Sequence, residues 1–252
     1  MSRLKNSFTT VMVFAIGVVT TAINSPLSGQ EVQVVVPNIY ESSEGNAIGY
    51  SASFGFPIKS QEVFPSSEFA SVPDLQRWIT GYRLRPDAIA TLPRTINYGD
   101  VQIRMSTTPK GPNDLSFTFA DNVGPDETIV LDTGEFSVTA KAASGPGPRP
   151  FDYVYQFDTP FYYDPNQGNL LLEFRSRSGW VNASPIFDAH DDVYGAAGIS
   201  IGAANFSSNV ATVRFPVEVY QFTFAVPELQ SVTLAGIGLL ALLAIRTSWK
   251  TV

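Results

Sequence analysis

Cysteine is absent from the 252-residue chain, and His190 is its one histidine. Without thiols the protein has no disulfide bonds, no thiolate nucleophile, no covalent haem attachment and no thiolate zinc site. We therefore expect the fold to be stabilised by burial of a core alone, without a cofactor.

Basic residues are also scarce, since 16 Lys and Arg stand against 23 Asp and Glu, a formal charge of −7. The two terminal segments contain four of these bases and one of the acids, which leaves the middle of the chain at −10. Such a charge repels nucleic acid and anionic lipid headgroups, and so excludes nucleic acid as a natural partner. It suits a protein exposed outside the cytoplasm.

Long amphipathic helical patterns and internal repeats are missing, and the middle is rich in Phe, Tyr, Val, Thr and Ser with frequent Gly and Pro. In residues 151–157 the aromatic residues alternate with other side chains, which is the period of a half-buried strand. Many short strands without helices between them predict one all-β domain at 31–225, an antiparallel β-sandwich or jelly roll. The predicted strands are residues 31–36, 77–85, 101–106, 115–120, 135–141, 151–157, 169–175 and 217–224.

The N-terminus has the layout of a secretory signal peptide. Arg3 and Lys5 precede an uncharged apolar run at 11–19, and small residues follow. We assign residues 1–30 to this signal peptide, with cleavage after Ala22 or nearer Gln30. The chain is therefore expected to be exported.

The C-terminal segment, residues 226–252, begins with Val226, Pro227 and Glu228. Residues 231–245 are uncharged and apolar, although this run is shorter than the ~20 residues that comfortably span a bilayer. The run predicts a short transmembrane helix that leaves the body outside, and a basic end after it stays in the cytoplasm. That end contains Arg246 and Lys250.

The triplet, the Gly-containing apolar run and the basic end together resemble the PEP-CTERM protein-sorting signal. The resemblance implies anchoring by the C-terminal helix and then processing by an exosortase, a membrane enzyme of Gram-negative bacteria that make exopolysaccharide. The usual motif continues with a second proline, and Leu229 stands in its place. An ordinary single-pass anchor is the alternative interpretation.

The middle also resembles the β-rich body common among PEP-CTERM proteins of unknown function. This resemblance covers most of residues 37–224 and implies no activity and no catalytic residue. The phrases that carry it are Glu44-Gly45-Asn46, Ile79-Thr80-Gly81, Arg85-Pro86-Asp87, Phe119-Ala120-Asp121-Asn122-Val123-Gly124, Pro160-Phe161, Tyr163-Asp164-Pro165 and Gly168-Asn169-Leu170-Leu171-Leu172.

Two motifs resemble catalytic or metal sites, and both are better explained otherwise. Residues 198–202 match the G-x-S-x-G nucleophile elbow, but His190 precedes Ser200 and no βαβ pattern surrounds it. The polar cluster Asp188, His190, Asp191 and Asp192 offers oxygen and imidazole ligands for calcium, without the spacing of a known calcium loop. Residues 164–168 (DPNQG) also lack that spacing. A solvated loop is therefore favoured for this segment and for the polar cluster, and no metal site is assigned.

A glycosidase needs only two suitably separated carboxylates, which Asp152, Asp158 and Glu173 could supply. Tyr153, Tyr155 or Trp180 could then serve as sugar platforms. Alternating aromatic residues are first of all core, however, and we expect the acids on the opposite face to be exposed. The sequence therefore predicts no enzyme.

We expect instead a structural or interaction protein of the cell surface or extracellular matrix, associated with exopolysaccharide. A carbohydrate-binding module or glycan-active enzyme is the alternative. Several exposed aromatic side chains beside paired carboxylates on a concave sheet face would favour that alternative.

The C-terminal segment predicts a proteolytic product. In cells with an exosortase, mass spectrometry of the surface or released protein should find a C-terminus between residues 226 and 229, because proline keeps the chain extended before the apolar run. Deleting the exosortase, or the double change Pro227→Ala and Glu228→Ala, should leave the apolar segment attached. Mature protein that still carries Leu239 and Trp249 in exosortase-competent cells would mean that the segment only anchors.

Overall fold

The computed structural model describes residues 31–49, 57–112, 114–178, 186–191 and 199–226. The predicted signal peptide at 1–30 and the apolar run at 231–245 lie outside these ranges, as do Pro227, Glu228, Arg246 and Lys250. Val226 is described, and 42% of it is exposed. In the described ranges, no helix is both long enough and apolar enough to cross a membrane.

The described chain is all-β and antiparallel, as the sequence predicted. Its helices are short 3-10 turns at Asn38–Tyr40, Ser66–Phe69, Asp74–Gln76 and Phe119–Asn122. The strands are β1 Val32–Val36, β2 Ala47–Gly49, β3 Ile58–Phe64, β4 Trp78–Leu84, β5 Arg94–Tyr98, β6 Val101–Thr108, β7 Thr128–Thr133, β8 Phe136–Ala140, β9 Tyr153–Tyr162, β10 Asn169–Ser176, β11 Phe187–His190, β12 Ile199–Ala203, β13 Val213–Phe215, β14 Val217–Glu218 and β15 Tyr220–Ala225.

Two larger sheets build one core between them. The four-stranded sheet has the order β1-β15-β4-β9, and the six-stranded sheet has the order β13-β12-β3-β10-β6-β7. Phe64 of β3 and Phe222 of β15 meet across the core, with 5.3 Å between their ring centroids. A three-stranded sheet (β14-β11-β2) and the β5-β8 pair complete the described fold.

Strand β9 confirms the predicted two-residue period. Tyr153, Tyr155 and Phe157 are buried, whereas Val154 and Gln156 between them are exposed. The Tyr155 ring stacks on Tyr82 of β4 at 4.6 Å. Burial raises the pKa of the Tyr153 phenol to about 12, so its side chain enters the core uncharged.

The six-stranded sheet is covered on its outer face as well as its inner face. All seven residues of β3 are buried, and so are six of the eight residues of β10. The inner residues pack on the four-stranded sheet, and some outer residues, such as Val63 and Leu171, pack under Leu115 and Phe119. The central strands therefore lie between two buried environments.

The covering segment corrects one predicted strand. Residues 115–120 were expected to alternate as a strand, but Thr118 makes only an isolated bridge and a 3-10 helix begins at Phe119. Leu115 and Phe119 are buried, while Phe117 remains 40% exposed. An extended strand would place Phe117 on the same face as Leu115 and Phe119, so the exposure of Phe117 agrees with a segment that is not a strand.

Candidate functional site

Six polar side chains occupy one region on the outer face of the six-stranded sheet. In each of these strands, inward residues that enter the core alternate with outward residues, most of which are polar. We call this group the outer polar patch; it comprises Lys59 and Gln61 of β3, Glu173 and Arg175 of β10, and Gln102 and Arg104 of β6.

The strand register sets the charge pattern of the patch. Lys59 lies directly opposite Arg175, and Gln61 lies opposite Glu173. On the other side of β10, Arg104 lies opposite Glu173. Directly opposed residues on one face of an antiparallel pair lie close enough to interact. Three cations thus surround one central carboxylate.

Glu173 is buried, contrary to the expectation that this acid is exposed. Its side chain is 3% exposed and pairs with Arg175 and with Lys59 Nζ, the latter at 3.6 Å. Gln61 Nε2 also donates to Glu173 Oε2 at 2.8 Å. Because segment 115–123 covers this face, an outward position here is not a solvated one, and the carboxylate is held by its partners instead.

The covering segment is fixed to the patch by amide hydrogen bonds. Asn122 Nδ2 donates to Gln61 Oε1 at 2.9 Å, and Gln61 Nε2 donates to the Phe119 carbonyl at 3.2 Å. Asn122 Oδ1 in turn accepts from the backbone N–H of Ser116 at 2.8 Å. The Phe119 ring is thereby placed beside Lys59, whose Nζ lies 4.5 Å from the ring centroid.

The patch and this segment border an open groove of about 560 Å³. Desolvation lowers the pKa of the Lys59 ammonium, and Glu173 acts in the opposite direction. Arg104 Nη1 pairs with Glu127 Oε2 at 3.2 Å at the rim. The lining residues are Lys59, Arg104, Thr118, Phe119, Ala120, Val123, Glu127, Glu173, Arg175 and Asn209. The groove therefore presents fixed charges to a ligand, while the Phe119 ring beside Lys59 is buried.

A second polar cluster joins the three-stranded sheet to the end of β4. Arg85 and Asp188 are both buried, and Arg85 Nε donates to Asp188 Oδ2 at 2.6 Å. Asp188 Oδ1 accepts from the backbone N–H of Gly45 at 2.8 Å, and Glu44 Oε1 accepts from that of Ala88 at 2.7 Å. These bonds fasten the loop before β2 to both elements.

Glu44, Asp87 and Asp188 place carboxylate oxygens within 4.8 Å of one another, a grouping that could bind a cation. Arg85 already supplies a positive charge to Asp188, so the cluster has an internal counter-ion. Burial raises the pKa of Asp188 despite Arg85, and burial followed by the Asp188 charge raises the pKa of Glu44. We interpret the cluster as a structural cross-link.

The residues weighed as calcium ligands, for which a solvated loop was favoured, are not gathered at one site in the described part of the chain. Asp188 lies buried against Arg85, which corrects its assignment to a solvated loop. His190 Nδ1 instead faces the Tyr40 hydroxyl at 2.7 Å, and Asp191 is exposed and bonds Asn46 through its backbone N–H. Asp192 lies outside the described residues.

The residues considered for catalysis are also separated or differently placed. Asp158 is exposed on β9 of the four-stranded sheet, whereas Glu173 faces outward from the other sheet, across the shared core. Ser200 lies within β12 rather than at a strand-to-helix turn, which removes the elbow geometry. Trp180 lies outside the described residues.

A second cleft, of about 340 Å³, combines an aromatic residue with carboxylates. Tyr162 at its edge is 49% exposed and packs against Trp78, with ring centroids 5.3 Å apart. Asp126 and Asp164 line the same cleft. Backbone and side-chain hydrogen bonds from Asn166, together with Arg77, lower the pKa of Asp164, so this carboxylate is a poor proton donor near neutral pH.

No protein-family model matches this chain, and neither a curated protein nor a solved structure is significantly similar to it.

The raised pKa of Glu44 gives a pH-dependent prediction. A carboxyl whose pKa is raised by folding stabilises the protein most when protonated, and this contribution is lost as the pH rises through the folded-state pKa. Glu44→Gln resembles the protonated form and keeps an acceptor for Ala88 N–H. In urea unfolding of the full chain, the variant should therefore gain more stability over the parent at about pH 7 than at about pH 4.

Glu41→Gln is the matched control, because Glu41 is an exposed acid near the same loop. Its stability relative to the parent should change little between the two pH values. If the stability of Glu44→Gln relative to the parent instead falls between the lower and the higher pH, the charged carboxylate is stabilising.

Proposed function

We propose that this chain is an exported, non-catalytic protein of the cell surface or extracellular matrix in a Gram-negative bacterium. Its C-terminal segment is sorted and processed by an exosortase, and its body, a sandwich of the two larger sheets, associates with exopolysaccharide. The groove beside the outer polar patch is the observation that carries the interaction role. It is open and lined by several charged side chains, which suit a polar or charged ligand.

The state of the acids in the groove favours binding over catalysis. Glu173 is held by Lys59, Arg175 and Gln61, and Glu127 is paired with Arg104. Carboxylates already engaged in ion pairs with the protein are less available to act on a substrate. These two carboxylates thus act in positioning the cations around them.

The exposed surface supports the same role. Of the ten large hydrophobic side chains exposed in the described ranges, only Phe117 and Tyr162 are aromatic, and the others are aliphatic. They do not form the row of exposed aromatic residues that stacking along a glycan chain would use.

A carbohydrate-binding module or glycan-active enzyme is the second candidate, and the Tyr162 cleft is the observation that favours it. An exposed ring can stack on a sugar face, while Asp126 and Asp164 can accept hydrogen bonds from hydroxyl groups. Tyr162 and its neighbour Trp78 form one platform, rather than several along a concave sheet face.

Association with exopolysaccharide predicts where the mature protein is found. In exosortase-competent cells that make the polysaccharide, the processed protein should sediment with the matrix, and in a polysaccharide-deficient strain it should move to the medium. Quantitative immunoblots of the two fractions measure this shift. Equal partition in both strains would contradict the role, and shortening of purified polysaccharide by the purified full-length chain would instead support a glycan-active enzyme.

A further inference from the structure

Like charges face each other directly in the outer polar patch. Lys59 and Arg175 are register partners on neighbouring strands, an arrangement that destabilises a sheet unless an anion lies between or above the two groups. Glu173 supplies a negative charge to this pair, because one of its oxygens faces Lys59 and the other faces Arg175. The groove side of the pair has Arg104 as a third cation nearby.

Lys59 is more than nine-tenths buried, yet its ammonium lacks a short hydrogen bond. Its described polar contacts are Glu173 Oε2 at 3.6 Å and the Ser208 carbonyl at 3.5 Å. Charged N–H donors in proteins usually approach oxygen to about 2.7–2.9 Å. A buried ammonium has a large cost of desolvation, so an oxygen anion entering the groove would complete its coordination.

The guanidinium groups of Arg104 and Arg175, which also line the groove, have N–H donors beyond those used in their contacts with described residues. Among the described residues, Arg104 donates from Nε to Gln102 and from Nη1 to Glu127, and Arg175 donates from Nε and Nη2 to Glu173. Each guanidinium carries five N–H donors in a fork that suits a carboxylate. Their side chains are 22% and 23% exposed, so a ligand in the groove can reach them.

We infer that this groove binds a carboxylate of an acidic saccharide, a uronate unit, between Lys59, Arg175 and Arg104. The Phe119 ring is buried and packs against Lys59, so it helps to position the ammonium. Because the groove is open, the unit can belong to a long chain. The saccharide source of the carboxylate rests on the proposed function, whereas the anion site rests on the geometry alone.

The experiment is a calorimetric titration of the purified full-length chain with a galacturonate trimer, a neutral glucose trimer and inorganic phosphate. The uronate trimer should bind, and the neutral trimer should not. Arg104→Gln and Arg175→Gln should each weaken uronate binding about tenfold, since each removes a charge-assisted hydrogen bond. Glu127→Gln should strengthen it several-fold, because a competing carboxylate at the rim is removed.

Arg83→Gln, on the outward face of β4 in the other sheet, is the matched control and should leave the affinity unchanged. Melting curves of each variant establish that it is folded; should Arg175→Gln unfold, the opposite effects of Arg104→Gln and Glu127→Gln decide the question. The inference would be overturned if the neutral trimer bound as tightly as the uronate trimer, or if phosphate did. It would also be overturned if the groove variants left the affinity for the uronate trimer unchanged.

The two proposals fail separately. If the purified protein binds uronate in the groove but its partition in cells is independent of polysaccharide, the proposed function is wrong and the site remains. If partition depends on polysaccharide while groove variants bind uronate normally, the site is wrong and the function remains.

Discussion

Burial of the central strands on both faces is the constraint on which the rest of this structure depends. In β3, β10 and β6 the inward residues enter an aromatic core, and the outward residues of β3 and β10 meet a second cover or the edge of the groove. Apolar outward residues pack under Leu115 and Phe119. Polar outward residues must satisfy one another, because a buried charge without partners is costly. The arrangement of Lys59, Glu173 and their neighbours follows from that requirement.

The phrases that resemble PEP-CTERM bodies coincide with the cross-links of this scaffold. Asn122 ties the covering segment to Gln61, and Gly45 and Arg85 both bond Asp188. In the segment before β10, the Tyr163 hydroxyl donates to the Gly168 carbonyl at 3.0 Å. By contrast, the cations of the groove lie outside those phrases. These phrases thus supply cross-links and part of the groove lining, whereas the three cations lie outside them.

The sequence predicted the half-buried strand β9 and placed β1, β4, β6, β8 and β10 within a few residues, whereas β2, β5, β7, β11, β12 and β13 were not predicted. It missed β3, because a strand buried on both faces with Lys, Gln and Glu in it reads as a polar loop. The run at 217–224 is divided at Val219 into β14 and β15. Alternation could have indicated the patch, since β3 contains K-x-Q, β6 contains Q-x-R and β10 contains E-x-R, each with its polar residues on one face. Partners 112 or 103 residues apart, such as Gln61 with Glu173 or Arg85 with Asp188, were beyond its reach.

The central claim is that the buried polar patch is an anion site and not merely a structural network. A crystal structure of the full-length chain grown with the galacturonate trimer tests this most directly. We expect a uronate carboxylate within about 3 Å of Lys59 Nζ and of a nitrogen of Arg175 or Arg104. Trimer bound at the Tyr162 cleft with the groove empty would contradict it.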